Sequence, residues 1–172
     1  MLTVDFVNTL DMRPYQEGLD SPEALTRWFA ERGLAEPGFR ATDRDLAQAI
    51  ELREALRTLL AAKNEVPGDV DAAAAVLDAV ARRSDLAVRF TPAGLRIEPC
   101  KDACGGALGR ILGDVATAMA DGTWERMKAC RAEDCQWAFV DEARNRSRAW
   151  CSMSSCGNRA KANKFRARHA HA

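Results

Sequence analysis

CRAEDCQWAFVDEARNRSRAWCSMSSCGNR, residues 130–159, holds four cysteines in two pairs, Cys130-x4-Cys135 and Cys151-x4-Cys156, with 15 residues between the pairs. Pairs joined by a loop of this length each supply half of a tetrahedral thiolate shell around zinc. Four thiolates close that shell, which suits one structural Zn2+ rather than a catalytic ion with an open position. Two disulfides, buried free thiols or a redox pair are the alternatives; disulfides need export, and a redox site is usually Cys-x-x-Cys. His169 and His171 could replace a cysteine only from the end of the chain. Around the cysteines, Trp124, Met127, Trp137, Phe139, Val140 and Trp150 lie scattered among charges. They are too few for a core, so a staple is expected here.

The charges divide at the same place. The 172 residues sum to zero, but residues 1–125 carry 14 Lys+Arg against 21 Asp+Glu, and residues 126–172 carry 11 against 4. A segment at +7 suits a polyanion, because each neutralised phosphate releases condensed counterions. Zinc with four thiolates is itself formally −2, so part of this positive charge offsets the metal site. Ser154 or Ser155 can cap a helix starting near Asn158, and Gly157 suits a chain turning about a metal. On that helix Ala162 and Phe165 share a face expected to pack inward, with Lys161, Lys164 and Arg168 on one flank and Arg159, Asn163 and Arg166 on the other. Arg144, Arg146 and Arg148 add three cations in a loop. Together with Asn158 these form the candidate nucleic-acid surface, and a solvated turn and helix are the plainer alternative. Short strands are expected near residues 136–140 and 148–150.

Upstream, the periodicity is helical. Ser21-Pro22-Glu23 starts a helix that Gly33 ends; another runs from Thr42 to about Glu65, and a third from Val70 to Arg83. LAVRF and LRIEP, split by TPAG, alternate as a β-hairpin over residues 86–98, and a last helix covers about Ala103 to Asp121. The expected fold is α+β, mainly helical: a helical domain with one hairpin over residues 1–122, then a four-cysteine finger, hairpin plus helix, over residues 126–172. Asn8, Arg13 and Arg53 are candidates to line a small-molecule pocket, with caps, core hydrogen bonds and ion pairs as the ordinary uses of such residues. Cys100 and Cys104 read as buried free thiols, and Gly105-Gly106 with Gly109 lacks the lysine and serine of a phosphate loop. No stretch approaches the roughly 18 apolar residues that span a bilayer, and Asp5 interrupts the start where a signal peptide is apolar, so a cytoplasmic protein without a membrane partner is expected.

Cys156-Gly157-Asn158-Arg159, with the three upstream cysteines and ARNRSRAWCS before the second pair, closely resembles the CGNR zinc-finger family. DFVNTL, the helix ending WFAERGL and the LREALRTLL stretch are similar to the ABATE domain that accompanies that finger in stress-induced transcription regulators. The resemblance implies a bacterial regulator whose finger holds zinc and binds DNA. From the residues alone, RNA binding remains an alternative, because Trp137, Phe139 and Trp150 among arginines can stack on unpaired bases. So does a protein-interaction module in which zinc only staples the fold. A single finger suggests a homodimer, and the first part suggests effector sensing or dimerisation. No constellation of nucleophile, base and open metal site argues for an enzyme.

Overall fold

The computed structural model describes residues 1–92, 94–100 and 103–169. Its order is α1 (Leu2–Val7), β1 (Leu10–Met12), β2 (Tyr15–Glu17), α2 (Pro22–Glu31), α3 (Asp43–Ala62), α4 (Val70–Ser84), β3 (Leu86–Thr91), β4 (Gly94–Pro99), α5 (Ala103–Ala120), a 3-10 turn (Thr123–Arg126), β5 (Met127–Ala129), β6 (Ala138–Val140), a π turn (Met153–Gly157) and α6 (Asn158–His169). Among the described residues there are three sheets, each a two-stranded antiparallel hairpin: β1–β2, β3–β4 and β5–β6. The helices start where the sequence supplies acceptors for otherwise unpaired amides. Ser21 Oγ accepts from the Ala24 amide at 3.2 Å, Thr42 and Asp45 form a reciprocal capping box, and Asp69 accepts from the Ala72 amide at 2.9 Å. Gly33, at φ +62°, ends α2 in the left-handed region where glycine costs least.

Helix α3 runs through the middle, burying Leu52, Leu56 and Leu60 against Phe6 and Val7 of α1, Leu25 and Phe29 of α2, and Leu108, Ile111 and Leu112 of α5. The glycines of α5 set how closely the rest approaches. A Cβ at Gly109 would meet the Cβ atoms of Ser84 at 2.7 Å and Pro99 at 2.8 Å, and one at Gly113 would meet the Ile97 carbonyl oxygen at 2.5 Å. The glycine run of this helix is therefore a seat for the β3–β4 hairpin, in which Val88 pairs with Ile97 and Phe90 with Leu95.

The apolar core continues past residue 122: Trp124, Met127, Ala129 and Ala138 belong to the same buried cluster as the helices. A second, small cluster forms around Cys130, Cys135 and Cys156, with Trp137 and Trp150 packed on it. Three sequence expectations need correction here. The strand pairing with Ala138–Val140 is Met127–Ala129, ahead of Cys130, whereas residues 148–150 form no strand; the Ala149 carbonyl instead accepts from the Arg131 amide at 2.9 Å. The β1–β2 hairpin escaped the sequence reading because its strands, LDM and YQE, are three residues each, too short for alternation to stand out. Phe165 does not dock inward; its side chain is 63% exposed and no residue of α6 is buried.

Candidate metal centre and the basic surface beside it

The two cysteine pairs come from two different turns. The first lies in the loop of the β5–β6 hairpin: the Cys130 amide donates to the Trp137 carbonyl at 2.9 Å, and the Cys135 and Gln136 amides both donate to the Ala132 carbonyl. Gln136 leaves this loop with φ +46°. The second pair brackets the π turn, whose N-cap is Ser152, accepting from the Ser155 amide at 3.3 Å, rather than Ser154 or Ser155. Gly157 is not needed for a positive φ; a Cβ there would meet Met153 Sδ at 2.6 Å and Trp150 Cδ1 at 3.3 Å. All four sulfurs lie within 4.8 Å of one another, with Cys135 Sγ 3.6 Å from Cys151 Sγ and Cys151 Sγ 3.8 Å from Cys156 Sγ. A tetrahedron with Zn–S bonds of about 2.3 Å has edges of about 3.8 Å. Sulfurs this far apart are not disulfide-bonded, since that bond is about 2.05 Å long.

Electrostatics also ask for a cation. The hydrogen bond from Cys135 holds the Cys130 thiol down at about 5, against burial, which opposes it. That shared proton and burial push Cys135 up in turn, while burial and then the Cys130 charge push Cys151 up to about 12. Thiols so placed cannot all ionise by themselves, and a divalent metal is what lets four thiolates coexist. The donor set thus fits one structural Zn2+ held by Cys130, Cys135, Cys151 and Cys156. Backbone amides of Ala132, Trp137 and Cys151 point at the sulfurs, and Arg159 Nη2 lies 3.7 Å from Cys156 Sγ, so the excess negative charge is offset locally.

The arginines nominated for nucleic acid fall into two groups. Arg148 is used inside the structure: its guanidinium lies 4.7 Å from the Phe139 ring centroid and donates to the Trp150 and Cys151 carbonyls. Arg159, besides its contact with sulfur, pairs with Asp134 at 2.8 Å. By contrast, Arg144 and Arg146 on the loop and Lys161, Lys164 and Arg168 on α6 are exposed and carry no ion pair among the described residues. Arg166 is exposed and donates to Asn163 Oδ1 at 2.6 Å, and Asn158 reaches the Ser154 carbonyl at 3.5 Å. His169 stacks on Phe165, the ring centroids 4.1 Å apart, and His171 lies outside the described residues.

The polar residues near the start of the chain have structural partners. Asn8 imitates a strand edge, its Nδ2 donating to the Ala138 carbonyl at 2.9 Å and its Oδ1 accepting from the Ala138 amide at 2.8 Å. Arg53, 2% exposed, forks onto Glu17 at 2.6 and 2.8 Å. Arg13 donates to Ser155 Oγ at 3.0 Å, beside the second cysteine pair. Cys104 is buried, with its thiol pushed up to about 12 by burial and then by Asp45, whereas Cys100 is exposed rather than buried. An apolar cavity of about 390 Å3 lies elsewhere, among Leu59, Leu77, Leu86, Leu112, Val115 and Met119.

Arg57 and Asn64 fix the finger to the helices and Lys128 braces the finger from within; of these, sequence reasoning missed Asn64 and Lys128, and Arg57 makes the ion pair with Glu54 that its spacing suggests, at 3.1 Å. Arg57, 2% exposed, donates to the carbonyls of Val7 at 2.7 Å and Gln136 at 3.0 Å. Asn64 donates to the Ala129 carbonyl at 2.7 Å and the Ala149 carbonyl at 3.3 Å. Lys128 is buried against Asp141 at 2.8 Å and also donates to the Arg146 and Arg148 carbonyls, while Asp141 accepts from the Ala143 and Arg148 amides, each at 2.9 Å. Burial alone would raise Asp141, but Lys128 and those amides outweigh it and hold the carboxyl below its ordinary value. The 144–148 loop is therefore wrapped around a buried ion pair. Its only sequence signal was charge within short apolar strands.

Two family models match. The CGNR zinc finger covers residues 126–169, and the ABATE family, described as "putative stress-induced transcription regulator", covers residues 1–122. Among curated proteins none matches the sequence. No helix among the described residues is long and apolar enough to cross a membrane. With the larger match spanning well over half its length and the four-sulfur site in place behind it, the chain belongs to the ABATE family and carries a CGNR zinc finger.

Proposed function

We propose that this zinc-binding protein is a transcription regulator that binds duplex DNA through α6 and the 144–148 loop, residues 1–122 forming its regulatory part. One observation carries the reading. Helix α6 has Arg159, Lys161, Lys164, Arg166 and Arg168, no acid and no buried residue. A helix polar all round gains little from its own protein and needs a partner to hold it. At about 18 Å long, 12 residues suit a major groove, and cations on both flanks suit the phosphates on either side. The four-cysteine site lies at the first turn of this helix, where Cys156 immediately precedes it, and the Lys128–Asp141 pair holds the 144–148 loop, so each is presented on a braced base.

A second reading rests on exposed Phe165 stacked against His169: an aromatic platform on a basic helix also suits unpaired bases of RNA. Selection of bound sequences from random duplex DNA and single-stranded RNA pools, followed by affinity against salt, separates the two. For duplex DNA the slope of log affinity against log salt is expected to weaken by about 0.9 for each phosphate contact removed, so Lys161, Lys164 and Arg168 changed together to Ala should cost nearly three units of slope. Affinity that is flat with salt, or unaltered in the triple variant, refutes the nucleic-acid reading.

A further inference from the structure

A cleft of about 220 Å3 opens where the C-terminal end of α3 meets the finger, lined by Lys63, Asn64, Glu65, Lys128, Arg131 and Arg146, with Ser147 at its rim. Four of these side chains are cationic, and they are compensated unequally. Lys128 is neutralised by Asp141, which is fully buried. Arg131 pairs with Glu65 at 2.8 Å, but both side chains are well exposed, and a pair of that kind holds its partners weakly. Among the described residues Lys63 has no carboxylate within ion-pair distance: its ammonium sits 3.8 Å over the Trp124 ring and donates to the Trp124 carbonyl. Arg146 has no side-chain partner among the described residues. Lys63 and Arg146 thus line one cleft with no ion pair of their own among the described residues, while the carboxylate that also lines it, Glu65, is engaged by Arg131.

We propose that this cleft is a binding site for a phosphoryl group, held by the Lys63 ammonium and the Arg146 guanidinium, with Ser147 and Arg131 as further donors. A tetrahedral dianion suits the arrangement better than a single carboxylate, because its several oxygens can meet an ammonium from the end of α3 and a guanidinium from the 144–148 loop together. The walls are fixed: Asn64 is clamped to the Ala129 and Ala149 carbonyls, and Lys128 holds the backbone of Arg146 by its carbonyl. Burial, with some repulsion from Lys128, pulls Lys63 down to about 8, opposed by Glu125, and an arriving anion would reverse that cost. The site does not involve α6; it shares Arg146 and Ser147 with the loop proposed above to meet DNA, but its ligand is defined by the phosphoryl group alone.

The test titrates the zinc-loaded full chain with inorganic phosphate by calorimetry, with zinc content measured before and after so that metal loss is not taken for binding. One saturable event is expected, with a dissociation constant at or below about 1 mM, weakened at least about tenfold in Lys63→Met and again in Arg146→Ala, and unaltered in Arg83→Ala on α4. Lys63→Met keeps the stem on Trp124, and Arg146 is exposed, so both variants should fold. Absence of saturable binding, or equal affinity in the two cleft variants and wild type, overturns the proposal. Once binding is established, competition by a short DNA duplex assigns the cleft to a backbone phosphate, and lack of competition assigns it to a phosphorylated small molecule; both leave the phosphoryl site standing.

Discussion

Replacing Asn8 by Ala tests whether this residue is structural cement or a ligand contact. Its amide supplies both a donor and an acceptor to Ala138, which is 1% exposed and lies in the core shared by helices and finger. Removing it strips a buried carbonyl and a buried amide of their partners at once. A made hydrogen bond contributes about 1 kcal/mol net, but a buried group left unpaired costs about 1–3 kcal/mol, so the two together set a range of about 2–6 kcal/mol. Asn8 itself is only half-buried, so water can reach the vacated space and the lower half of that range, about 2–4 kcal/mol, is expected. Urea unfolding followed by circular dichroism, with zinc in excess, should show the midpoint falling by roughly 1–2 M at unchanged slope. Asn8→Asp keeps the shape but aims an oxygen at the Ala138 carbonyl, and should cost at least as much. Losses under about 0.5 kcal/mol in both variants refute the cement reading and reopen a ligand role.

Four further outcomes follow from named contacts. Purified without chelator, the protein should contain about one zinc per chain; stripping it should lower the melting temperature of the whole chain in one transition, because Met127, Ala129 and Ala138 sit in the common core, whereas a separate early transition would show an independent finger. Gly113→Ala should destabilise by about 2 kcal/mol or more, since its methyl would press on the Ile97 carbonyl, while Gly157→Ala should cost less because the exposed end of Met153 can move aside; equal losses in thermal melts would refute this. Burial tends to raise Glu17, but Arg53, the Leu19 amide and Arg57 outweigh it and hold the carboxyl below its ordinary value. Its contribution is thus present above the unfolded carboxylate range and lost as pH falls through the folded value, so Glu17→Gln should flatten the acid side of a stability-against-pH profile; an unchanged profile would refute it. Cys151→Ser should weaken zinc binding by at least about tenfold in competition with a chromogenic chelator, as expected for a member of a closed four-thiolate shell.

The helices were legible because their signals are local. Ser21, Thr42 and Asp69 cap within three residues, and Leu46, Ile50, Leu56, Leu59 and Leu60 recur at helical spacing along α3, although the fully buried line is Leu52, Leu56 and Leu60. The metal site was legible for a different reason: four thiols at that spacing have few other uses in a segment, residues 126–172, with so few apolar residues of its own. What was hidden depends on pairings distant in sequence. Nothing in WAFVDE says that Ala138 will be held by Asn8 or that Asp141 will be buried under Lys128, because buried polar groups become affordable only when both partners are present.

The same reasoning explains the misplacement of Phe165. An apolar residue at the right spacing on a helix predicts an inward face, but only if there is something inside to meet. The small cluster around the cysteines is already filled by Trp137 and Trp150, and Met153 takes the space over Gly157. Helix α6 leaves the zinc site with no apolar surface waiting for it, so Phe165 stays 63% exposed beside His169. An exposed phenylalanine costs little by itself, yet on a helix of cations it has a directional consequence. If α6 lies on duplex DNA or unpaired RNA, Phe165→Ala should weaken binding while leaving the salt slope unaltered, since the ring contributes contact area and not charge. Lys164→Ala, one position away, should do the reverse and reduce the slope by about 0.9 on duplex DNA. A Phe165→Ala variant with wild-type affinity would show that the ring faces solvent in the complex as well, and that the cations alone hold the helix to its partner.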